Sequence, residues 1–300
     1  RKNYMNKSKI TAYTALATVM SASVAHADLS LSGAMAGVVN SGDATSGVNH
    51  AVTTSSIYIS FTNTLDNGIG ITSGFSSTGA GNNYSIALDS DIGSFNFGET
   101  HSSAVDMMDG MPAGVNTISG TVELGNALTR YNDGDTNESM GIRYTSPAIQ
   151  GFTVGLSMGE DTANAVAASG DRVSSMAING SVAGIGIALG KVDQAGQEGD
   201  DTFMTLGYSV AGVSLGYGNY DSDGSGDSTV LGLNTSFADL NFGFEVEEWD
   251  SGSAAADQDM TKFSVGKDLG GMNVTLIYKD HDNGTAVDDQ NWAMVYSVGF

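Results

Sequence analysis

The chain of 300 residues carries 34 acidic residues against 11 basic ones, which gives a formal net charge of −23 at pH 7, and it contains no cysteine. So acidic a chain excludes a nucleic-acid partner, because binding to phosphates requires a basic surface. The lack of cysteine excludes disulfide bonds as a source of stability. After residue 27 the sequence has no apolar run near 20 residues, which excludes a helical membrane protein.

The first 27 residues have the pattern of a secretory signal peptide. Four basic residues precede a largely apolar stretch over residues 10–24, and Ala25-His26-Ala27 fits the small-x-small cleavage pattern. The stretch is short and rich in Thr and Ser, which is atypical of a spanning helix. We therefore predict removal of residues 1–27, which takes the net charge from −23 to −27 because four basic residues and no acidic residue are lost.

From residue 29 onwards the chain is a succession of short segments with one apolar face. In the last segment, Trp292, Met294, Tyr296 and Val298 alternate with smaller residues up to Phe300. Such alternation is typical of a strand that is apolar on one side. Sixteen strands of roughly 8–11 residues are predicted, a length that suits tilted strands crossing an outer membrane. They are 29–39, 57–65, 68–78, 83–89, 93–99, 139–145, 151–158, 174–182, 184–192, 202–210, 212–220, 228–237, 240–249, 260–268, 271–279 and 290–300.

The connections alternate between short turns and long loops. Ala183-Gly184 and Ala211-Gly212 are short, whereas the connections over 40–56 and 100–138 are long. This sorting predicts an all-β fold, a 16-stranded antiparallel transmembrane β-barrel with a single domain over 28–300, and it disfavours a soluble sandwich. Aromatic residues near the strand ends fit the interfacial girdles of such barrels; they are Tyr144, Phe152, Tyr208, Tyr217, Phe237, Trp249, Tyr278 and Trp292.

Several short motifs point to one family. They are DLSLSG at 28–33, ALTRYN at 127–132 leading into GIRYT at 141–145, GFTVGLS at 151–157, and the terminal Phe300. Together they resemble the trimeric general diffusion porins of the alphaproteobacterial type. The resemblance implies a homotrimeric channel in the outer membrane of a Gram-negative bacterium, which passes ions and small hydrophilic solutes. It also implies contacts with lipid and lipopolysaccharide, and recognition by the barrel-assembly machinery through Tyr296, Val298 and Phe300.

The connection over residues 100–138 is the candidate constriction of the pore. It mixes apolar residues with acidic ones, which suits a loop that packs inside the barrel better than a solvated loop. The resemblance implies that this third loop folds into the lumen, and Asp106, Asp109 and Glu123 are the acidic residues expected at the narrowest point. The alternative is that these three residues are solvated loop charges.

Six charged strand residues are predicted to line the lumen: Asp89, Arg143, Glu245, Glu247, Lys262 and Lys279. Porins of the family usually set a cluster of basic strand residues against the acidic loop, whereas the first five predicted strands of this chain contain no Lys or Arg. A lumen lined mostly by carboxylates attracts cations, because its low-dielectric walls focus the field. We therefore expect a cation-selective channel without a strong transverse field.

Two acidic loops resemble oxygen-rich calcium sites. One contains Asp221, Asp223 and Asp227, and the other contains Asp133, Asp135 and Glu138. Neither loop has the full EF-hand spacing, so plain acidic loops are the alternative. The predicted function requires no cofactor, and Ca²⁺ is at most a ligand of these loops.

Catalysis is not expected from the residue inventory. The three histidines after residue 27 (His50, His101 and His281) all fall in predicted loops, and the sequence lacks a glycine-rich phosphate loop that opens a helix. Two other functions stay open at this point. One is a substrate-specific outer-membrane channel, and the other is a structural or adhesive barrel with a plugged lumen.

Overall fold

The computed structural model is a closed barrel of sixteen antiparallel strands, which confirms the predicted fold. The structure describes residues 28–42, 48–78, 82–99, 140–160, 172–194, 200–222, 226–250, 257–282 and 289–299. The predicted signal peptide and the predicted constriction loop over 100–138 lie outside these residues. Among the described residues, no helix is long and apolar enough to cross a membrane.

The strands follow one another around the barrel in chain order. They are β1 (Asp28–Gly42), β2 (Asn49–Thr64), β3 (Gly70–Thr78), β4 (Asn82–Ser90), β5 (Gly93–Glu99), β6 (Met140–Thr145), β7 (Phe152–Glu160), β8 (Arg172–Val182), β9 (Ile185–Gln194), β10 (Asp200–Val210), β11 (Val213–Ser222), β12 (Gly226–Phe237), β13 (Leu240–Asp250), β14 (Gln258–Asp268), β15 (Met272–Asp282) and β16 (Asp289–Gly299). β1 pairs with β16, for example at Gly37 opposite Tyr296. The ring therefore has no open edge, which is the condition for a sheet to stand in lipid.

The outer face of the barrel carries the large apolar side chains. Leu206, Tyr217, Leu231 and Val246 form one row across β10–β13, because each is paired in register with the next. Leu29, Leu31 and Trp292 on this face are 60–67% exposed. Exposed apolar side chains on the outside of a closed barrel are stabilised by contact with lipid, which replaces the core of a soluble protein.

The short turns have the backbone that tight hairpins require. Both residues of Ala183-Gly184 and of Ala211-Gly212 have positive φ, between 50° and 81°. Positive φ at both central residues is the type I′ geometry, whose twist matches that of the flanking strands. Ala238-Asp239 has the same geometry, with φ of 52° and 62°, although it contains no glycine.

Three sequence-based assignments are wrong in detail. Residues 40–42 and 49–56, predicted as part of a long loop, extend β1 and β2. His50 and His281, also predicted in loops, lie in β2 and β15. These segments carry few apolar residues on either face, so the alternation rule overlooked them, yet neighbouring backbones pair there all the same. Trp249, predicted for the girdle, shares the inward face with Glu247 because the two residues are two apart on one strand.

Candidate functional site

The inward-facing side chains are the candidate site, because a solute that crosses the barrel contacts this face. Side chains alternate along each strand, and the register aligns the inward positions of neighbouring strands. Glu245 on β13, Lys262 on β14 and Lys279 on β15 are consecutive partners in one row, which continues to Asn291 on β16. The structure therefore brings together three of the six charges that the sequence predicts for the lumen.

We call this row the charged rung, and an ion pair between two of its side chains stabilises it. Lys262 Nζ donates to Glu245 Oε1 at 2.9 Å, and the two side chains are 12% and 6% exposed. Lys279 is 2% exposed and has further interactions of its own. Charged side chains buried to this degree must be paired or hydrogen-bonded, because desolvation of an isolated charge costs several kcal/mol.

A second inward row lies two residues further along these strands. Glu247, Met260 and His281 are consecutive partners in register, and each is 3% exposed or less. Ser228 Oγ donates to Glu247 Oε1 at 3.3 Å. His281 Nε2 lies 3.1 Å from Gln258 Oε1 and, since this amide oxygen only accepts, donates to it. Sequence reasoning missed His281, although the alternation Ile277, Lys279, His281 continues the inward face of β15.

The other two predicted lumen charges lie on the opposite side of the barrel. Arg143 on β6 is half-buried and is paired in register with Asn96 and Ser157. Asp89 on β4 is exposed, one residue before the end of its strand. Since β6 and β14 stand eight places apart in a ring of sixteen strands, Arg143 and the charged rung lie on opposite walls of the barrel.

The inward surface differs between the two sides of the barrel. The open wall comprises the inward residues of β3–β6, and none of those with a described side chain is buried; they are Gly70, Thr72, Gly74, Ser76, Ser85, Ala87, Asp89, Ser94, Asn96, Gly98, Gly141, Arg143 and Thr145. The covered wall comprises the inward residues of β8–β16, where every strand has at least two buried inward residues. β7, β1 and β2 form the borders between the two walls.

The covered wall includes large apolar and aromatic side chains that the open wall lacks. Phe203, Tyr220, Met260 and Ile277 are inward and 6% exposed or less. Ile277, Ala293 and Val295 also form an apolar cluster with Val38 of β1. The open wall has serine, threonine, asparagine, alanine and glycine beside its two charges.

Several predicted site residues are placed elsewhere or are not described. Asp106, Asp109, Glu123, Asp133, Asp135, Glu138, Asp223 and Phe300 lie outside the described residues. Asp221 and Asp227 lie in β11 and β12, opposite one another in register and on the outer face. Across the described part of the chain, no group of three or more His, Asp or Glu side chains is arranged to hold a metal ion. Tyr296 and Val298 are on the outer face of β16, where the Tyr296 hydroxyl lies 2.8 Å from His50 Nε2.

Comparison with known proteins places these features in context. A family model described as Gram-negative porin matches residues 12–299. Among solved structures, a mutant of the Rhodopseudomonas blastica porin has a TM-score of 0.70 and 17% identity, with 91% of this chain and 100% of that chain covered. A loop-deletion mutant of OmpT, an outer membrane protein of Vibrio cholerae, has a TM-score of 0.67 and 14% identity, with 91% and 99% covered. No curated protein matches the chain. At these identities the structural likeness establishes the fold.

Proposed function

Since the chain belongs to the family of Gram-negative porins and forms a channel in the outer membrane, we propose that it passes ions and small hydrophilic solutes by passive diffusion with a preference for cations. The surplus of acidic residues carries the proposal. Inward positions include the acids Asp28, Asp89, Asp201, Glu245, Glu247 and Asp268, against the bases Arg143, Lys262 and Lys279. An acidic lumen raises the local concentration of cations and lowers that of anions.

Acidic residues at the mouth of the barrel, on the side of the long loops, strengthen the preference for cations. Asp221, Asp227 and Asp250 form one acidic row, and Glu248, Asp259 and Asp282 form another, on the outer face at the ends of their strands. These rows lie beside the connections that the sequence predicts to be long. A negative potential at the entrance enriches cations before they reach the lumen.

Further parts of the proposal rest on the sequence and on the family. The channel is a homotrimer without enzymatic activity, residues 1–27 are removed on export, and 28–300 is the mature barrel. The loop over 100–138 narrows the lumen, with Asp106, Asp109 and Glu123 adding to its negative potential. Phe300, with Tyr296 and Val298, is recognised during assembly. No cofactor is required, and any Ca²⁺ bound by the acidic loops bridges them to lipopolysaccharide.

The reversal potential in a planar bilayer tests the selectivity. The purified protein is inserted between two KCl solutions of different concentration, and the zero-current voltage is measured. We expect large ohmic steps in threes and a potential displaced towards the potassium Nernst value. A potential near zero or of opposite sign contradicts the cation preference but leaves a porin channel. A folded protein that gives no steps favours the plugged barrel, and conductance blocked saturably by one solute favours the substrate-specific channel.

A further inference from the structure

An apolar groove lies on the outer face of the barrel, across β9–β13. It has a volume of about 650 Å³ and lies between two rows of outward side chains that pair in register. One row runs from Leu206 to Val246, and the other runs from Ile185 on β9 to Phe244 on β13. The residues that line the groove are aliphatic, aromatic or glycine, and no charged residue is among them. The groove is thus a depression within the surface that faces lipid.

The groove rises obliquely from the rim that carries the short turns. Ile185 directly follows the turn Ala183-Gly184, whereas Phe244 is the fifth residue of β13. Five neighbouring strands span about 19 Å, because strands lie about 4.8 Å apart. In a barrel whose strands tilt by about 35–45°, a row perpendicular to the strands rises about 11–13 Å along the barrel axis. This height is about half of the apolar band of about 25 Å in such barrels, which corresponds to one leaflet of the membrane.

The lower end of the groove carries a tyrosine at the level of the turn. The exposed ring of Tyr208 lies beside Gly184, where a Cβ would be 3.8 Å from the ring carbon Cε2. Tyrosine is enriched at membrane interfaces because its ring lies in apolar surroundings while its hydroxyl reaches the headgroups. The one basic residue on β9–β13 is Lys191, which is paired with Asp200 at the opposite, long-loop end of these strands. The lower end therefore has a hydroxyl for a headgroup but no basic side chain on these strands.

We propose that this groove binds one acyl chain of a phospholipid from the periplasmic leaflet, with the headgroup beside Tyr208. The groove is continuous with the lipid-facing surface of the barrel, which makes a lipid its occupant. Short turns of outer-membrane barrels face the periplasm, so the lower end lies at the headgroup level of that leaflet. Since anionic headgroups are bound by basic residues, a zwitterionic headgroup such as phosphatidylethanolamine is favoured here. The inference goes beyond the proposed function, because the groove lies outside the path of diffusing solutes.

Packing, and not removal from water, accounts for the retention of this lipid. Lipid surrounds the whole barrel, so a chain in the groove gains no hydrophobic free energy over any other lipid chain. The side chains of both rows contact a chain that lies between them, so its dispersion contacts outnumber those of a chain on the convex wall. A phospholipid bound here should exchange more slowly than its neighbours and remain bound during purification.

Retention of phospholipid by the purified protein tests the groove. The protein is incubated in mild detergent with equal amounts of phosphatidylethanolamine and phosphatidylglycerol, washed with lipid-free detergent, and analysed by native mass spectrometry. We expect one phosphatidylethanolamine per chain. Leu231→Trp, which fills the groove with a larger side chain, is expected to lower this retention about ten-fold.

A matched control places the same side chain on the lipid-facing surface outside the groove. Leu276 of β15 faces outward and is 51% exposed, against 56% for Leu231, so Leu276→Trp should retain the lipid as the wild type does. Leu215→Trp in the groove and Leu156→Trp on β7 form a second pair of similar exposure. Channel steps in a planar bilayer verify that each variant folds.

Equal retention in the wild type and the groove variants, or equal loss in the groove and control variants, overturns the groove as the binding site. Lipopolysaccharide as the lipid retained from the cell overturns the assignment to the periplasmic leaflet, and a preference for phosphatidylglycerol overturns the headgroup. A wild type that retains no lipid overturns the proposal altogether. If Leu231→Trp then also separates the subunits on a native gel, the groove is a contact with a second copy of the chain. None of these outcomes depends on the ion preference of the channel.

Discussion

At the scale of single residues, one contact across three strands secures the closure of the barrel. Tyr296 of β16 lies over Gly37 of β1, and its hydroxyl is 2.8 Å from Nε2 of His50 on β2. The His50 and Tyr296 rings are nearly parallel, with centroids 6.1 Å apart. A Cβ at position 37 would collide with the tyrosine ring and hydroxyl. Tyr296 therefore occupies the space that a side chain at position 37 would need. The first and last strands are thereby tied to the second.

Gly37→Ala is therefore expected to destabilise the barrel, because the added methyl group displaces Tyr296. Overpacking of this kind costs about 1–3 kcal/mol. Tyr296→Phe keeps the ring and loses the hydrogen bond, which costs about 1 kcal/mol. Urea unfolding of the protein in detergent measures both. Gly74→Ala is the control, since its Cβ would meet Ser85 Oγ at 3.2 Å and that small side chain can rotate. Equal midpoints for Gly37→Ala and Gly74→Ala contradict the role of the Gly37–Tyr296 contact in closing the barrel.

The turn between β12 and β13 carries a cost that the other described turns of this geometry avoid. Asp239 has φ of 62°, where the equivalent positions in the other four turns with two positive φ angles are Gly151, Gly184, Gly212 and Gly271. A non-glycine residue is strained in this conformation, so Asp239→Gly is expected to stabilise the barrel by about 0.5–1 kcal/mol. The converse change Gly212→Asp should lower the unfolding midpoint. If Asp239→Gly unfolds at a lower urea concentration than the wild type, the side chain of Asp239 stabilises the turn in another way.

At the scale of strands, the charged rung couples β13 to β14. Loss of one partner of a buried ion pair leaves an unpaired charge and typically costs about 3–5 kcal/mol, whereas replacing both partners by apolar groups is often neutral. Lys262→Met is thus expected to destabilise the barrel strongly, and the double variant Lys262→Met, Glu245→Leu much less. A double-mutant cycle from unfolding curves measures the coupling. If the effects of the two single substitutions on the free energy of unfolding are additive, the ion pair does not stabilise the barrel.

Strand order and facing were largely predictable from the sequence, and contacts between strands were not. The inward placement of Glu245, Lys262 and Lys279 follows from alternation alone, because residues two apart on one strand share a face. Their meeting in one row depends on the register, which is set by turn geometry and neighbouring strands. The same alternation failed for residues 49–56, where the strand carries few apolar residues on either face. The split into an open and a covered wall was also beyond the sequence, since the burial of an inward side chain depends on contacts with residues distant in the chain.

At the scale of the whole molecule, many acidic residues act together on permeating ions. The acidic surplus is spread over the rows at the long-loop mouth and over the inward surface, so it acts as a diffuse field. Screening by salt tests this, since dissolved ions weaken distant interactions before they weaken close ones.

Cation preference should therefore fall as salt concentration rises. The screening length is about 10 Å at 0.1 M and about 3 Å at 1 M, so the diffuse field of the acidic rows is almost lost at the higher concentration. Reversal potentials are measured across tenfold KCl gradients centred on these two concentrations. The wild-type K⁺/Cl⁻ permeability ratio should approach that of free solution at high salt. A wild-type ratio that does not change with salt would assign the selectivity to a close-contact ion site instead of the diffuse acidic field.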